Sequence, residues 1–217
     1  PPRSTLFPYT TLFRSPPALV AEINSRNEDV SAEFVRIGGV TLESLFEYDV
    51  ILDRISQDVP FYRAMLKVAA LNGVRVVNNP FWWSADDKFF NYAVADKAGI
   101  PVPKTALLPS KSHPPDTTSE SFRNLMFPLN WQEVFDNVGF PSWLKPFDGG
   151  GWKHVYKIHS VEEFFERYSE TGDIVMTLQE SIEFTEYYRC YCIGRKHVHV
   201  MPYEPRNPRS EEHTSEL

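Results

Sequence analysis

Residues 140–158 constrain this chain more than any other segment. Residues 142–146 read as a strand carrying Lys145, followed by Pro146, Phe147 and Asp148. Gly149, Gly150 and Gly151 come next, and residues 152–158 read as a returning strand. Glycine has no Cβ, so consecutive glycine N–H groups can approach phosphate oxygens closely, and a nearby lysine adds a point charge for the same anion. A lysine flanked by apolar residues on a strand is a poor structural choice, because its charge is costly to bury. The outline is a phosphate-cradling hairpin. It is not the P-loop pattern, which needs Gly-Lys-Ser/Thr opening a helix, nor the dinucleotide fingerprint. The same residues also fit an ordinary glycine-rich turn beside a surface lysine, and the hairpin alone does not separate the two.

Composition removes several classes. The chain has 217 residues, enough to bury a core without disulfides. Its net charge is -7 and no Lys/Arg cluster is present, which argues against general nucleic-acid binding. Two cysteines exclude a disulfide scaffold and fit a reducing, cytoplasmic setting. No apolar run approaches the roughly 18–20 residues of a membrane helix. An aromatic content of 14% argues against global disorder.

Both ends read as foreign. Residues 1–15, PPRSTLFPYTTLFRS, and residues 209–217, RSEEHTSEL, each resemble translated sequencing-adapter DNA. The two underlying strings share a reverse-complementary core, GCTCTTCCGATCT against AGATCGGAAGAGC, as paired adapters do. Residues 16–208 are then expected to be the biological part, a piece of a longer protein. Ordinary polar tails are the alternative.

Along that part, residues 16–34 carry only a weak helical pattern, and residues 33–37 read as a strand. Residues 41–46 fit a short helix capped by Thr41. Residues 49–52, 59–71 and 74–77 read as strand, helix and strand, which suggests parallel pairing through a crossover. Arg54 and Asn78-Asn79-Pro80 would lie at the carboxyl ends of these strands, the usual ligand side. A helix is predicted over 84–98 with Ser84 as its cap, another over 130–137, and a third over 160–168 capped by Ser160. Residues 109–121 are a polar, proline-rich loop. Residues 174–178 read as a strand, and 187–193 with 196–201 as a hairpin turning at Gly194-Arg195. That two-residue turn would set Cys192 opposite His197 and Cys190 opposite His199, all on one face. These are zinc-type ligands, but the spacing lacks a C-x₂₋₄-C knuckle; two buried thiols and two strand histidines are the simpler expectation.

Five segments occur in a telling order: NNP, DDK on a helix, AGIPVPKT, GFPSWLKPFDGGG and VMTLQESIEFTEYYRCYCIG. Together they resemble the ATP-grasp superfamily, in the branch of ribosomal-protein-modifying glutamate ligases, glutathione synthetases and D-alanine–D-alanine ligases. The resemblance covers about residues 48–205. It implies an α/β chain with an ATP-grasp fold of two α+β subdomains, truncated, over 81–208 (pieces 81–145 and 146–208). Part of a Rossmann-like front domain, 16–80, would precede it.

The resemblance also implies roles. Lys88 and Lys145 would reach the nucleotide phosphates, Lys145 also the adenine edge. Gly149, Gly150 and Gly151 would form the lid over the phosphates. Gln179, Glu180 and Ile182 would form the hinge that reads adenine, mainly through backbone groups. Glu186 would accept bonds from the ribose hydroxyls, and Arg189 would face the phosphate or substrate region. The cofactors implied are ATP and Mg²⁺. The family's late metal-binding carboxylates have no counterpart, since Glu204 is proline-flanked and Glu211 and Glu212 lie in the adapter-like tail. The parent protein is therefore expected to be an ATP-dependent carboxylate–amine or carboxylate–thiol ligase acting through an acylphosphate. Its partners would be a small carboxylate and an amine, or a peptide or protein C-terminus, with no nucleic acid and no membrane. The chain itself is expected to be inactive as a ligase. An ATP-grasp small-molecule kinase and a non-catalytic nucleotide-binding domain are the alternatives.

Overall fold

Val50–Leu52 and Arg75–Val77 are short apolar strands, and the helix between them, Pro60–Leu71, explains why they pair in parallel. Proline at the first helical position has no N–H to waste and a preset φ. Met65, Leu66 and Ala69 share one helical face and are fully buried. Burying side chains such as Met65 and Leu66 contributes about 1.5–3 kcal/mol each. A computed structural model describes residues 3–6, 15–26, 29–44, 46–56, 59–81, 87–148 and 153–203. The chain divides between residues 85 and 86 into two compact units.

The first unit contains β1 (Arg3–Leu6), α1 (Ser15–Arg26), β2 (Ser31–Phe34), β3 (Val50–Leu52), α2 (Pro60–Leu71) and β4 (Arg75–Val77). Its sheet runs in the order β2-β1-β3-β4, and every neighbouring pair is parallel. Ile51, Met65, Leu66, Ala69 and Val74 form its core. The expected strand–helix–strand run is present. Three local expectations are corrected. A full helix occupies 15–26, the second strand begins at Ser31 rather than at 33, and residues 41–44 make a single turn instead of a helix. In that turn the Thr41 N–H donates to Ser44 Oγ at 2.9 Å, a local bond that competes with helix propagation. No strand was expected in the adapter-like segment, yet Arg3–Leu6 supplies one, registered between β2 and β3.

The second unit contains α3 (Lys88–Lys97), β5 (Thr105–Leu108), α4 (Trp131–Val138), β6 (Ser142–Pro146), β7 (Tyr156–Ile158), α5 (Val161–Ser169), β8 (Met176–Glu180), β9 (Tyr188–Ile193) and β10 (His197–Pro202). A 3₁₀ turn at Ser119–Phe122 interrupts the long loop between β5 and α4. Strands β5-β8-β6-β7 form one antiparallel sheet. Alternation along these strands gives the sheet two different faces. Leu108, Leu144, Ile158, Met176 and Leu178 point to the face covered by Phe135 and Val138 of α4 and Phe164 and Tyr168 of α5. Trp131 packs at 5.4 Å from the rings of Phe164, Phe165 and Tyr168. Thr105, Trp143, Lys145, Thr177 and Gln179 belong to the opposite face.

Helix α5 begins as predicted, with Ser160 Oγ accepting from the Glu163 N–H at 3.3 Å, while the Glu163 carboxylate takes the His159 N–H at 2.8 Å. Helix α3 starts later than predicted. Asp87 caps it by accepting from the Phe90 N–H at 2.8 Å, and Ser84 lies outside the described residues. No described helix is long and apolar enough to cross a membrane.

Two groups in this core generate tests. Ser142 Oγ is buried and has no hydrogen-bond partner among the described residues. Ser142→Ala is therefore expected to raise unfolding stability by about 1 kcal/mol in a urea titration. Tyr168 donates its hydroxyl to the Pro109 carbonyl at 2.5 Å, and burial pushes its phenol from 10.0 up to about 12. A raised folded-state value means the unfolded chain loses its proton first. The contribution is full below pH 10 and is lost as pH rises toward about 12, up to about 2–3 kcal/mol. Tyr168→Phe is expected to flatten that alkaline fall in stability when denaturation is followed across the same window.

Candidate functional site

The sheet face of the second unit opposite its aromatic core collects polar groups around one cation. Lys145 pairs in register with Thr177, and Trp143 with Gln179, so Lys145 and Gln179 project from the same side of adjacent strands. Lys145 Nζ donates to Gln179 Oε1 at 2.7 Å and to the Tyr92 hydroxyl at 3.2 Å. The ammonium also lies 5.4 Å from the centre of the Tyr92 ring. Gln179 is 6% exposed, and its Nε2 donates to Thr105 Oγ1 at 2.9 Å. Thr105 Oγ1 in turn donates to the Pro103 carbonyl at 2.9 Å.

Every partner of this ammonium is neutral. Among the described residues no ion pair involves Lys145. Lys145 is half-buried, so its charge is neither fully hydrated nor cancelled by a carboxylate. The charge is felt by Tyr92. Burial raises the phenol's pKa, but the bond to Gln179, the bond to and charge of Lys145, and the charge of Lys88 together hold it below its usual value.

The other residues singled out by sequence distribute as follows. Lys88 opens α3, and its N–H donates to the Phe147 carbonyl at 2.8 Å, tying the helix start to the chain just past β6. Glu180 ends β8, where its N–H donates to the Lys104 carbonyl at 2.9 Å and its carboxylate accepts from the Lys104 N–H at 3.2 Å. Ile182 is 52% exposed, and among the described residues no acceptor lies on its N–H. Glu186 accepts from the Tyr188 hydroxyl at 3.0 Å. Arg189 lies 3.8 Å from the centre of the Tyr203 ring. Gly149, Gly150 and Gly151 lie outside the described residues.

Sequence reasoning missed Tyr92 and Thr105, and it gave Gln179 a backbone role alone. The only available signal for Tyr92 was its place one helical turn after Lys88 on the same face. Among the described residues no group of three His, Cys, Asp or Glu side chains is gathered to hold a metal ion, so no Mg²⁺ site can be assigned to them.

The zinc-type arrangement on the hairpin is corrected. The turn is Gly194-Arg195-Lys196, closed by the Lys196 N–H on the Ile193 carbonyl at 3.3 Å, with Gly194 at φ 60°. Cys192 consequently faces Val198, Cys190 faces Val200, and the histidines sit opposite Ile193 and Tyr191. One residue of register puts thiols and imidazoles on opposite faces. The thiols are exposed, not buried.

No protein-family model matches the chain, and no curated protein matches its sequence. Solved structures do match its fold. The VanG D-Ala:D-Ser ligase of Enterococcus faecalis aligns with a TM-score of 0.62 at 14% identity, covering 91% of this chain and 67% of its own. The carboxyaminoimidazole ribonucleotide synthase of Aspergillus clavatus, complexed with ATP, gives 0.59 at 15% identity over 92% of this chain and 52% of its own. A RimK-domain ATP-grasp protein of Sphaerobacter thermophilus gives 0.54 at 16% identity over 83% of this chain and 64% of its own. The chain has the ATP-grasp fold and spans between about half and two thirds of these neighbours' lengths.

The hairpin register leads to a direct test. Cys190 and Cys192 are both expected to react with a thiol reagent in the native state, without denaturant. His197→Ala with His199→Ala is expected to leave that reactivity, and any protection by zinc, unchanged. Protection that disappears with the histidines would reinstate a shared metal site.

Proposed function

We propose that this chain is the nucleotide-binding part of an ATP-dependent carboxylate–amine or carboxylate–thiol ligase of the cytoplasm. The observation that carries this reading is Lys145, a half-buried ammonium held by neutral acceptors on the polar face of an ATP-grasp sheet. In this reading Lys145 and Lys88 neutralise phosphate charge, and the exposed N–H of Ile182 and the backbone of Gln179 and Glu180 receive adenine. Glu186 takes the ribose hydroxyls, Arg189 faces the phosphates or substrate, and Gly149, Gly150 and Gly151 close over the phosphates.

The reaction needs no protein nucleophile. A substrate carboxylate oxygen attacks the γ-phosphorus, forming an acylphosphate and releasing ADP. An amine or thiol then attacks the acyl carbon, and inorganic phosphate leaves with the C–O bond electrons. The residues here act by holding the nucleotide in place and offsetting its charge. Mg²⁺ when bound would supply further charge neutralisation for the phosphates, and no described residue is assigned to it. Substrates are a small carboxylate and an amine, or a peptide or protein C-terminus.

Calorimetric titration with ATP tests the reading. The wild-type chain is expected to bind, and Lys145→Ala to weaken binding by about 10- to 100-fold, the range of a lost charge-assisted bond. Gln179→Glu sets a carboxylate on the ammonium and is expected to weaken ATP about tenfold by cancelling its charge. Unchanged affinity in both folded variants would refute the assignment.

A further inference from the structure

The polar chain that starts at Lys145 has a single direction. An ammonium has three N–H donors and no acceptor, so both Lys145 contacts run outward. Gln179 must then present Oε1 to Lys145 and Nε2 to Thr105, and Thr105 must donate onward to the Pro103 carbonyl. Two of the three ammonium donors are used within the protein, one on Gln179 and one on Tyr92.

We propose that Tyr92 is a positioning residue which, with Gln179, fixes the half-buried Lys145 ammonium so that its third N–H is presented to a phosphate oxygen. This rests on the nucleotide reading above. The tether is well anchored at both ends. Gln179 is buried and bonded to Thr105. Tyr92 stands on α3, whose first N–H is bonded to the Phe147 carbonyl, two residues beyond Lys145 on the same chain. The phenol therefore cannot drift from the strand whose lysine it holds.

A lysine side chain carries about 2 kcal/mol of rotamer entropy, and fixing it before the ligand arrives removes part of that cost from binding. The ring face adds attraction for the cation without neutralising it. Burial of Tyr92 with a net lowered pKa agrees with a phenol strongly coupled to the ammonium.

Tyr92→Phe keeps the ring and removes the hydroxyl. In calorimetry on the full chain, ATP affinity is expected to fall about three- to tenfold, with adenosine affinity and the thermal midpoint unchanged. A merely structural tyrosine would shift all three together. The Lys145 ammonium resonance in ¹⁵N NMR provides a second readout. It is expected to be visible, in slow proton exchange, in the ligand-free wild type and lost in Tyr92→Phe. Equal ATP affinity of the two proteins, or parallel losses for ATP and adenosine, overturns the proposal. If folded wild type binds neither ligand, the nucleotide reading fails, and the ammonium resonance decides alone. Its loss in the variant upholds Tyr92 as the residue that positions Lys145, and its persistence overturns this.

Discussion

The register between β6 and β8 is the constraint on which the second unit depends. Leu144 opposite Leu178 places two fully buried side chains on the face packed by α4 and α5. The same register sets Lys145 opposite Thr177 and Trp143 opposite Gln179 on the other face. A slip by one residue would turn Lys145 into the aromatic core and Leu144 out of it. Packing of the core and presentation of the cation are thus one structural decision, enforced by the cost of burying a charge among Phe164, Phe135 and Met176.

Where a local pattern fixed the outcome, it was readable in the residues. Residues 142–146 form a strand with the predicted bounds, ended by Pro146 ahead of the glycine run in the sequence. Ser160 caps α5 because its hydroxyl reaches the Glu163 N–H, and the β3–α2–β4 run follows from helical spacing between two apolar strands. The ATP-grasp fold was legible through the order of five segments rather than through any single one.

The rest depends on partners distant in the chain. Tyr92 meets Lys145 across 53 positions and Gln179 across 87, and no periodicity encodes such a meeting. The hairpin turn failed for a different reason. Two- and three-residue turns both suit glycine at positive φ, and the choice between them moves every cross-strand pair by one. In the first unit two polar side chains that follow strands β3 and β4 are spent on turns. Asp53 accepts the Ile55 and Ser56 N–H groups at 3.1 and 3.0 Å, and Asn79 accepts the Phe81 N–H at 3.0 Å.

The one-way sense of the polar chain has a consequence for how these positions can drift. Because Lys145 cannot accept, the orientation of the Gln179 amide is dictated, and the role of Thr105 as acceptor and onward donor is dictated with it. Positions 105 and 179 are therefore grammatically linked. A serine can replace Thr105 within the same syntax, whereas a valine strands the amide N–H, and a carboxylate at 179 reverses what Thr105 must do. Sequence change on this face should come in matched pairs, read outward from the lysine that sets the direction.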